Sequence, residues 1–580
     1  MKDFDTPAFS RLNIFPHGLA TTLLLSTVAF APAALADEDG GLRPNHLLVS
    51  RSVYDVNPTI VPGVTQLPPN CVTPNCVTAT ANGTYPTVFN NDLVDASFGV
   101  TTKIFLDQLT RHGEIVGSLE VPNSAQHHVG PNSDQMVTSF SSKSELALNL
   151  STDGQFVSFL GYLAPVGAID VSNSNTPFII DPTNPDPLQN YRVVAQVDAR
   201  GHFRFTKTNA YSGNNGRAVI LNVANGASFA YLAGNAGNGA DPQPTGVIVA
   251  AGAQILTPQD KPLNAQPDPG LPTPLGSFNI TQTQDPLHPK PDKIGKDTNF
   301  RGLTIFNNVV YYTKGSGGNG INTLYFVDTS GFDAQQRPLA CPTNGSGLPN
   351  PLATLPTSPI SYNAGLLQTK GVFPYNMCIL KGFPTATKSK TSFPFGIWFA
   401  DANTVYVADE GNGSNAFAGG TFTDAAAQTT AGLQKWVFDT TSGAWKLAYV
   451  LSAGLDLGVP YTIQNYPTGN NPATGLPWSP ATDGLRNITG RVHRDGTVTI
   501  WAITSTVSGS GDQGADPNKL VRITDTLAAT TLPAGESFQT IRAARSGEVL
   551  RGVSFTPGTG QAQRDDDDHE HDEGHDHDGH

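Results

Sequence analysis

At 580 residues the chain is long enough for several ordinary domains, but 59 Gly, 45 Pro and only 14% charged residues suit one large all-β body with long loops. The formal charge is −14, yet nine of the negatives fall within residues 565–580, which leaves −5 for the rest and no basic patch. That balance argues against nucleic acid as a partner.

The N-terminus reads as an export signal. Lys2 and Arg11 precede the apolar run of residues 19–36, which ends in the small-x-small triplet Ala34, Leu35, Ala36 ahead of Asp37 and Glu38. Residues 1–36 are therefore expected to be a signal peptide cleaved after Ala36. The alternative, an uncleaved anchor helix, fits Pro32 and the small residues less well. The mature chain is expected to carry no transmembrane span and to be periplasmic, cell-surface or extracellular. Cysteine usage agrees with export: Cys71 with Cys76, and Cys341 with Cys378, are expected disulfide staples of loops, with free thiols or a metal site as the alternatives.

Residues 46–54 read as a first strand and residues 55–95 as a Pro-, Asn- and Thr-rich insertion. Residues 101–110 and 114–121 form a hairpin around His112 and Gly113. Further strand pairs turn at Asp153-Gly154, Arg200-Gly201 and Asn225-Gly226. Residues 257–300 are Pro- and Asp-rich and read as loop, and a third insertion spans about 331–390. The stretch Phe395 to Leu451 is the clearest unit. Its four runs of Val, Ile, Phe, Tyr and Trp are separated by Ala402-Asn403, by the loop Gly411 to Gly420 and by Ser442-Gly443, which makes four antiparallel strands, one blade. Another blade turns at Asp495-Gly496, and the segment EVLRGVSFTPG ends the pattern as a lone strand.

A lone four-stranded sheet cannot cover both its faces, so repeated blades imply a β-propeller over residues 37–560. Innermost strands starting near Glu145, Arg217, Arg301, Pro394, Arg486 and Arg551 are spaced 72, 84, 93, 92 and 65 residues apart. The usual repeat is about 40 to 50 residues, so the excess lies in loops. The strand after Arg551 can complete a blade only with the three N-terminal strands, which predicts six blades and a ring tied shut by both chain ends. Seven is the alternative, if residues 257–300 or 331–390 hide a blade.

Residues 405–413, VYVADEGNG, resemble the Tyr-Val-Ala-Asp core of NHL-type propeller repeats, with an insertion from Ser414 to Ala431 in place of the usual continuation. The succession KIFLDQLTRHGEIVGSLEVP, ELALNLSTDGQFVSFLGY, YRVVAQVDARGHF and LRGVSFTPG is similar to a family of exported bacterial β-propeller proteins without an assigned activity, over most of residues 98–556. The resemblance implies fold and export and carries over no catalytic residue.

Chemical motifs are mostly absent: there is no G-x-S-x-G elbow, H-E-x-x-H helix, C-x-x-C-H haem site or phosphate loop. Gly315, Gly317 and Gly320 spell G-x-G-x-x-G, but they join two strands and so fail as a dinucleotide loop. His127 and His128 sit in a polar stretch and read as surface residues. Residues 561–580 form an Asp/His-rich tail with no means of folding. Its His569, His571, His575, His577 and His580, with Asp572 and Asp576, suit loose binding of Zn, Ni or Cu ions, against a purely solubilising role.

One positional feature remains. Arg217, Arg301, Arg486 and Arg551 share a register before innermost strands, on the side of the loops Gly234 to Gly239, Lys314 to Gly320, Asp409 to Gly413 and Ser505 to Gly514. Guanidinium forks and glycine-rich amides around a channel mouth suit a small anionic ligand, with Lys314 beside them. Asp409, Glu410 and Asp512 would instead hold a Ca ion or neutralise the arginines, and each Arg would then lock neighbouring blades together. Three classes stay open: a binding or surface protein of the cell envelope, with a small anion or an envelope protein as partner; a metal-dependent hydrolase of propeller-lactonase or phosphoesterase type; and metal handling by the tail.

Overall fold

A computed structural model describes residues 41–54, 60–67, 77–80, 82–88, 99–123, 135–140, 145–169, 191–208, 210–211, 215–224, 227–235, 252–258, 277–280, 299–315, 320–327, 346–355, 375–386, 392–510 and 513–560. The strands assemble into six blades around an axis, a β-propeller. Blade one contains both chain ends: from the axis outward, Glu548–Phe555, Leu47–Val53, Thr101–Leu109 and Ile115–Glu120. Leu47 pairs with Phe555 and Val53 with Glu548, so the closure expected from the strand count is present.

Blade two is Asn149–Leu150, Phe156–Tyr162, Arg192–Asp198 and Phe203–Thr208. Blade three is Gly216–Ala224, Ala227–Gly234, Ala253–Leu256 and Ser277–Ile280, and blade four is Leu303–Phe306, Val309–Lys314, Thr323–Val327 and Tyr375–Leu380. Blade five is Pro394–Asp401, Thr404–Asp409, Gly432–Asp439 and Ala444–Leu451, and blade six is Ala481–Val492, Thr497–Val507, Lys519–Thr526 and Gln539–Ala543.

Two insertions read as loop hold strands. Ser277–Ile280 and Tyr375–Leu380 are the outermost strands of blades three and four, and they pair in parallel with each other, joining the two blades into one sheet. The seven-blade alternative is thereby replaced: these segments finish existing blades. Residues 55–95 likewise contain a small ribbon, Gln66–Leu67 with Val77–Thr78. Among the described residues no helix is long and apolar enough to cross a membrane.

Alternation along the strands turns apolar side chains to the neighbouring blade on each face. Leu48 and Ile104 of blade one meet Val157 and Phe159 of blade two, and Leu160 and Val194 of blade two meet Val219 and Leu232 of blade three. Tyr231, Tyr312, Phe399 and Trp445 belong to one core through blades three to five. Tyr406 and Leu433 pack on Ile500 and Val521 between blades five and six. Trp501 and Leu520 pack on Leu47 and Leu550, which closes the circle.

Buried polar groups bind the same seams. Between blades five and six, Lys435 Nζ lies 3.0 Å from Asp525, whose carboxylate also accepts from the hydroxyls of Tyr406 and Tyr449. At the closing seam, Asp107 accepts from Arg51 of its own blade at 2.7 Å and from Arg542 of blade six at 2.6 Å. Of the four cysteines, only Cys378 lies among the described residues, buried in blade four; both expected pairs extend outside them.

Near the axis the innermost strands touch backbone to backbone. A Cβ at Gly302 would stand 2.1 Å from the Phe395 carbonyl oxygen of the next blade, one at Gly396 would stand 2.3 Å from that of Arg486, and one at Gly552 would stand 2.3 Å from that of Leu146. Only glycine permits this approach, and each is within two residues of the start of the channel-side register that the arginines share.

Candidate functional site

The arginine positions are set by these contacts. In Arg301-Gly302 and Arg551-Gly552 the glycine brings the neighbouring backbone close; Arg301 precedes its innermost strand by two residues, as expected, whereas Arg551 is the fourth residue of Glu548–Phe555 and Arg486 the sixth of Ala481–Val492, inside the strands rather than before them. Loops that follow second strands lie beside them, as the strand order requires. Glu410, in the loop after the second strand of blade five, is 3.4 Å from the Arg301 guanidinium and accepts from Arg486 Nε at 3.3 Å. The ring of Phe395 lies beneath both, its centroid 6.0 Å from each guanidinium carbon.

Arg217 belongs to the same electrostatic group but is bound differently. It is 4% exposed, and its Nε donates to Asn299 Oδ1 at 3.1 Å. Among the described residues no carboxylate lies within ion-pair distance of it. Burial lowers its pKa well below the ordinary arginine value, and Arg301 and Arg486 add to that effect against Glu410 and Glu145. Burial and Arg486 lower the pKa of Arg301 as well, despite Glu410.

Glu145, at the foot of blade two, completes this end of the channel. It accepts from Arg192 NH1 at 2.8 Å and from the Tyr162 hydroxyl, all three side chains being buried. Burial opposes the charge on Arg192, but Tyr162 and Glu145 outweigh it and raise its pKa.

Other expected site residues are placed elsewhere or act otherwise. Arg551 donates to the Phe140 carbonyl oxygen and, at 3.4 Å, to Ser52 Oγ. Lys314 donates to Asn322 at 3.0 Å, Asn322 donates to the Ser392 carbonyl oxygen, and Ser392 donates to Asp409 at 2.9 Å. Asp409 therefore does not neutralise an arginine. Its oxygens accept from the backbone N–H of Phe393 and Gly411, from Ser392 and from Gln434. A carboxylate so filled with donors, next to a Glu410 already shared by two guanidiniums, does not fit the Ca ion considered for this mouth. Among the described residues no three His, Cys, Asp or Glu side chains converge as metal ligands. Asp512 and the tail residues His569, His571, Asp572, His575, Asp576, His577 and His580 lie outside the described residues.

Sequence reasoning missed Asp483. This buried carboxylate accepts from the Gly413 N–H at 2.8 Å and from Gln428 at 2.6 Å, and lies against Gly411, where a Cβ would be 2.4 Å from its Cγ. Burial, with Glu410 and Asp409 nearby, raises its pKa to about 7; burial raises that of Asp409 to about 6 despite its donors. The one sequence signal was the Asp-Gly-Leu-Arg run that places Asp483 three residues before Arg486. Arg192 and Asn299 carried no local signal.

No known family and no curated protein matches the chain. Among solved structures it is similar to a quinoprotein alcohol dehydrogenase-like protein from Bacteroides thetaiotaomicron, at 10% identity over 79% of this chain and 85% of that one, with a TM-score of 0.23. A levansucrase mutant from B. megaterium matches at 9% identity over 89% and 94%, TM-score 0.25. A sialidase from Streptococcus pneumoniae matches at 10% identity over 90% and 79%, TM-score 0.19. Likenesses this remote carry no argument about chemistry.

Proposed function

We propose that this propeller is a binding protein of the cell envelope that holds a small anion, a carboxylate or phosphate, at the arginine end of its channel. The observation that carries the reading is Arg217. The guanidiniums of Arg217, Arg301 and Arg486, the first and last buried and the second nearly so, share the field of Glu410, with Glu145 also acting on Arg217, and Arg217 has no ion-pair partner among the described residues. A buried charge is costly unless compensated, and an anion bridging Arg217 to its neighbours would compensate it. Glu410 joins blades through Arg301 and Arg486, so those two arginines serve the ring as well, and Arg217 is the residue reserved for ligand.

Calorimetric titration of the full chain with inorganic phosphate and with acetate tests this. Saturable binding of either, weakened at least tenfold in Arg217→Gln at near-normal thermal stability, is expected. Absence of binding by both anions, or equal affinity in Arg217→Gln, would overturn the proposal. Export rests on the N-terminal signal pattern. Loose chelation of Zn, Ni or Cu by the Asp/His tail is a separate proposal: deleting residues 565–580 should abolish uptake of these ions and leave phosphate binding unchanged.

A further inference from the structure

The far end of the channel, where the innermost strands finish, holds a second opening. Ile220, Ile305, Ile397 and Ile488 of four consecutive blades lie in the wall of a cavity of about 190 Å³, and none of Arg217, Arg301, Glu410 or Arg486 lines it. Polar groups nevertheless make up the larger part of the lining, among them Asn149, Thr304, Thr489, Arg491 and Ser554. Asn149 donates through Nδ2 to the Val219 carbonyl oxygen at 2.9 Å, which fixes the amide and leaves Oδ1 to accept from a guest. The Arg491 guanidinium carbon stands 5.7 Å from the ring centroid of Phe555, another lining residue, and no acidic side chain of the described residues lines the cavity. Aromatic surface completes the wall. Phe306 and Phe399 stack with centroids 4.6 Å apart, and Trp398 is held against Gly490, where a Cβ would stand 2.7 Å from the indole.

We propose that this opening binds a sugar acid of the hexuronate class. Three kinds of wall must be matched by one guest. Arg491 presents a planar fork that fits a carboxylate. Asn149, Thr304, Thr489 and Ser554 supply donors and acceptors for several hydroxyls. The flat rings of Trp398 and Phe306 suit the C–H face of a six-membered ring. A wholly apolar guest would cover these polar groups without partners, and a bare anion such as phosphate would leave the aromatic wall unused. An apolar cavity of about 150 Å³ takes benzene, so this one has room for a substituted six-membered ring, with its outer hydroxyls turned to solvent. The site is separate from the anion proposed for the arginine end, because the two sets of residues do not overlap.

The test is calorimetric titration of the full-length chain with D-glucuronate, D-glucose and cyclohexanecarboxylate. Arg217→Gln is the background, so that a carboxylate held at the other end does not contribute. Expected are one-to-one binding of glucuronate and at least tenfold weaker binding of glucose, which lacks the carboxylate, and of cyclohexanecarboxylate, which lacks the hydroxyls. Adding Arg491→Gln, or adding Thr489→Phe to fill the opening from a half-buried position, should each weaken glucuronate binding at least tenfold. If Arg217→Gln does not fold, the wild type and Arg491→Gln are compared instead, and the difference between them reads this opening. No saturable glucuronate heat, equal affinity for glucose or cyclohexanecarboxylate, or undiminished affinity in either folded variant would each overturn the proposal.

Discussion

Arg301 and Arg486 belong to blades that are not neighbours, yet both reach the carboxylate of Glu410, at 3.4 and 3.3 Å. One side chain of blade five thus joins blades four and six at the axis. Glu410→Gln would leave the guanidiniums of Arg217, Arg301 and Arg486 without it. Removing one partner of a buried ion pair costs about 3 to 5 kcal/mol, so a large fall in melting temperature is expected, partly recovered by added phosphate. Melting curves recorded with phosphate and with chloride at equal ionic strength check this; an unchanged melting temperature would show that Glu410 is not the joint.

The glycine contacts at the axis are tested by alanine. At Gly302 and Gly552 a Cβ would meet carbonyl oxygens of the next blade at 2.1 and 2.3 Å, whereas at Gly117 nothing lies within 4 Å. Overpacking of this kind costs about 1 to 3 kcal/mol. Gly302→Ala and Gly552→Ala should therefore lower the urea midpoint, with Gly117→Ala, on the exposed side of blade one, as a control that stays within error.

Between blades five and six, Lys435→Met would leave the buried Asp525 without its cation, beside the Glu536 carboxyl and with the hydroxyls of Tyr406 and Tyr449 as donors. A loss of about 3 to 5 kcal/mol is expected. Lys435→Met combined with Asp525→Leu should recover part of it, because the uncompensated charge is gone. A double-mutant cycle on urea unfolding reads the coupling, and strictly additive losses would show that the two residues act independently.

Acid titration has a defined sign. Folding raises the Asp483 pKa from 3.8 to about 7 and that of Asp409 to about 6, so the folded state holds these protons more tightly. Their contribution to stability is full below the unfolded value near 3.8 and is lost progressively as pH rises from there through the folded values of about 6 and 7. Asp483→Asn, which keeps the side-chain volume, should flatten the fall in stability over that window, by an amount on the order of 4 kcal/mol at most. Urea unfolding midpoints measured across the window, identical in slope for wild type and variant, would contradict the assignment.

Strand identity and blade number were legible because their causes are local. Runs of β-branched and aromatic residues, ended by x-Gly turns, make Pro394–Asp401 and its three partners a blade wherever they occur. Counting strands left one at the C-terminus and three at the N-terminus, and a sheet edge that must be covered made their pairing the economical outcome. The short outer strands Ser277–Ile280 and Tyr375–Leu380 escaped notice because each is a few residues long within Pro-rich surroundings and is held by its own blade and by the other strand, 95 residues or more away in sequence. The shared register of Arg217, Arg301, Arg486 and Arg551 could be read from the chain, but not that Glu410 would serve two of them while Arg551 turned to Phe140. Nor could the approach of Asp483 to Gly411, or the isoleucine-lined cavity at the far end, be read there. Those relations depend on how far each blade is rotated and pressed against the next, and that is set by packing over the whole ring at once, which no local run of residues encodes.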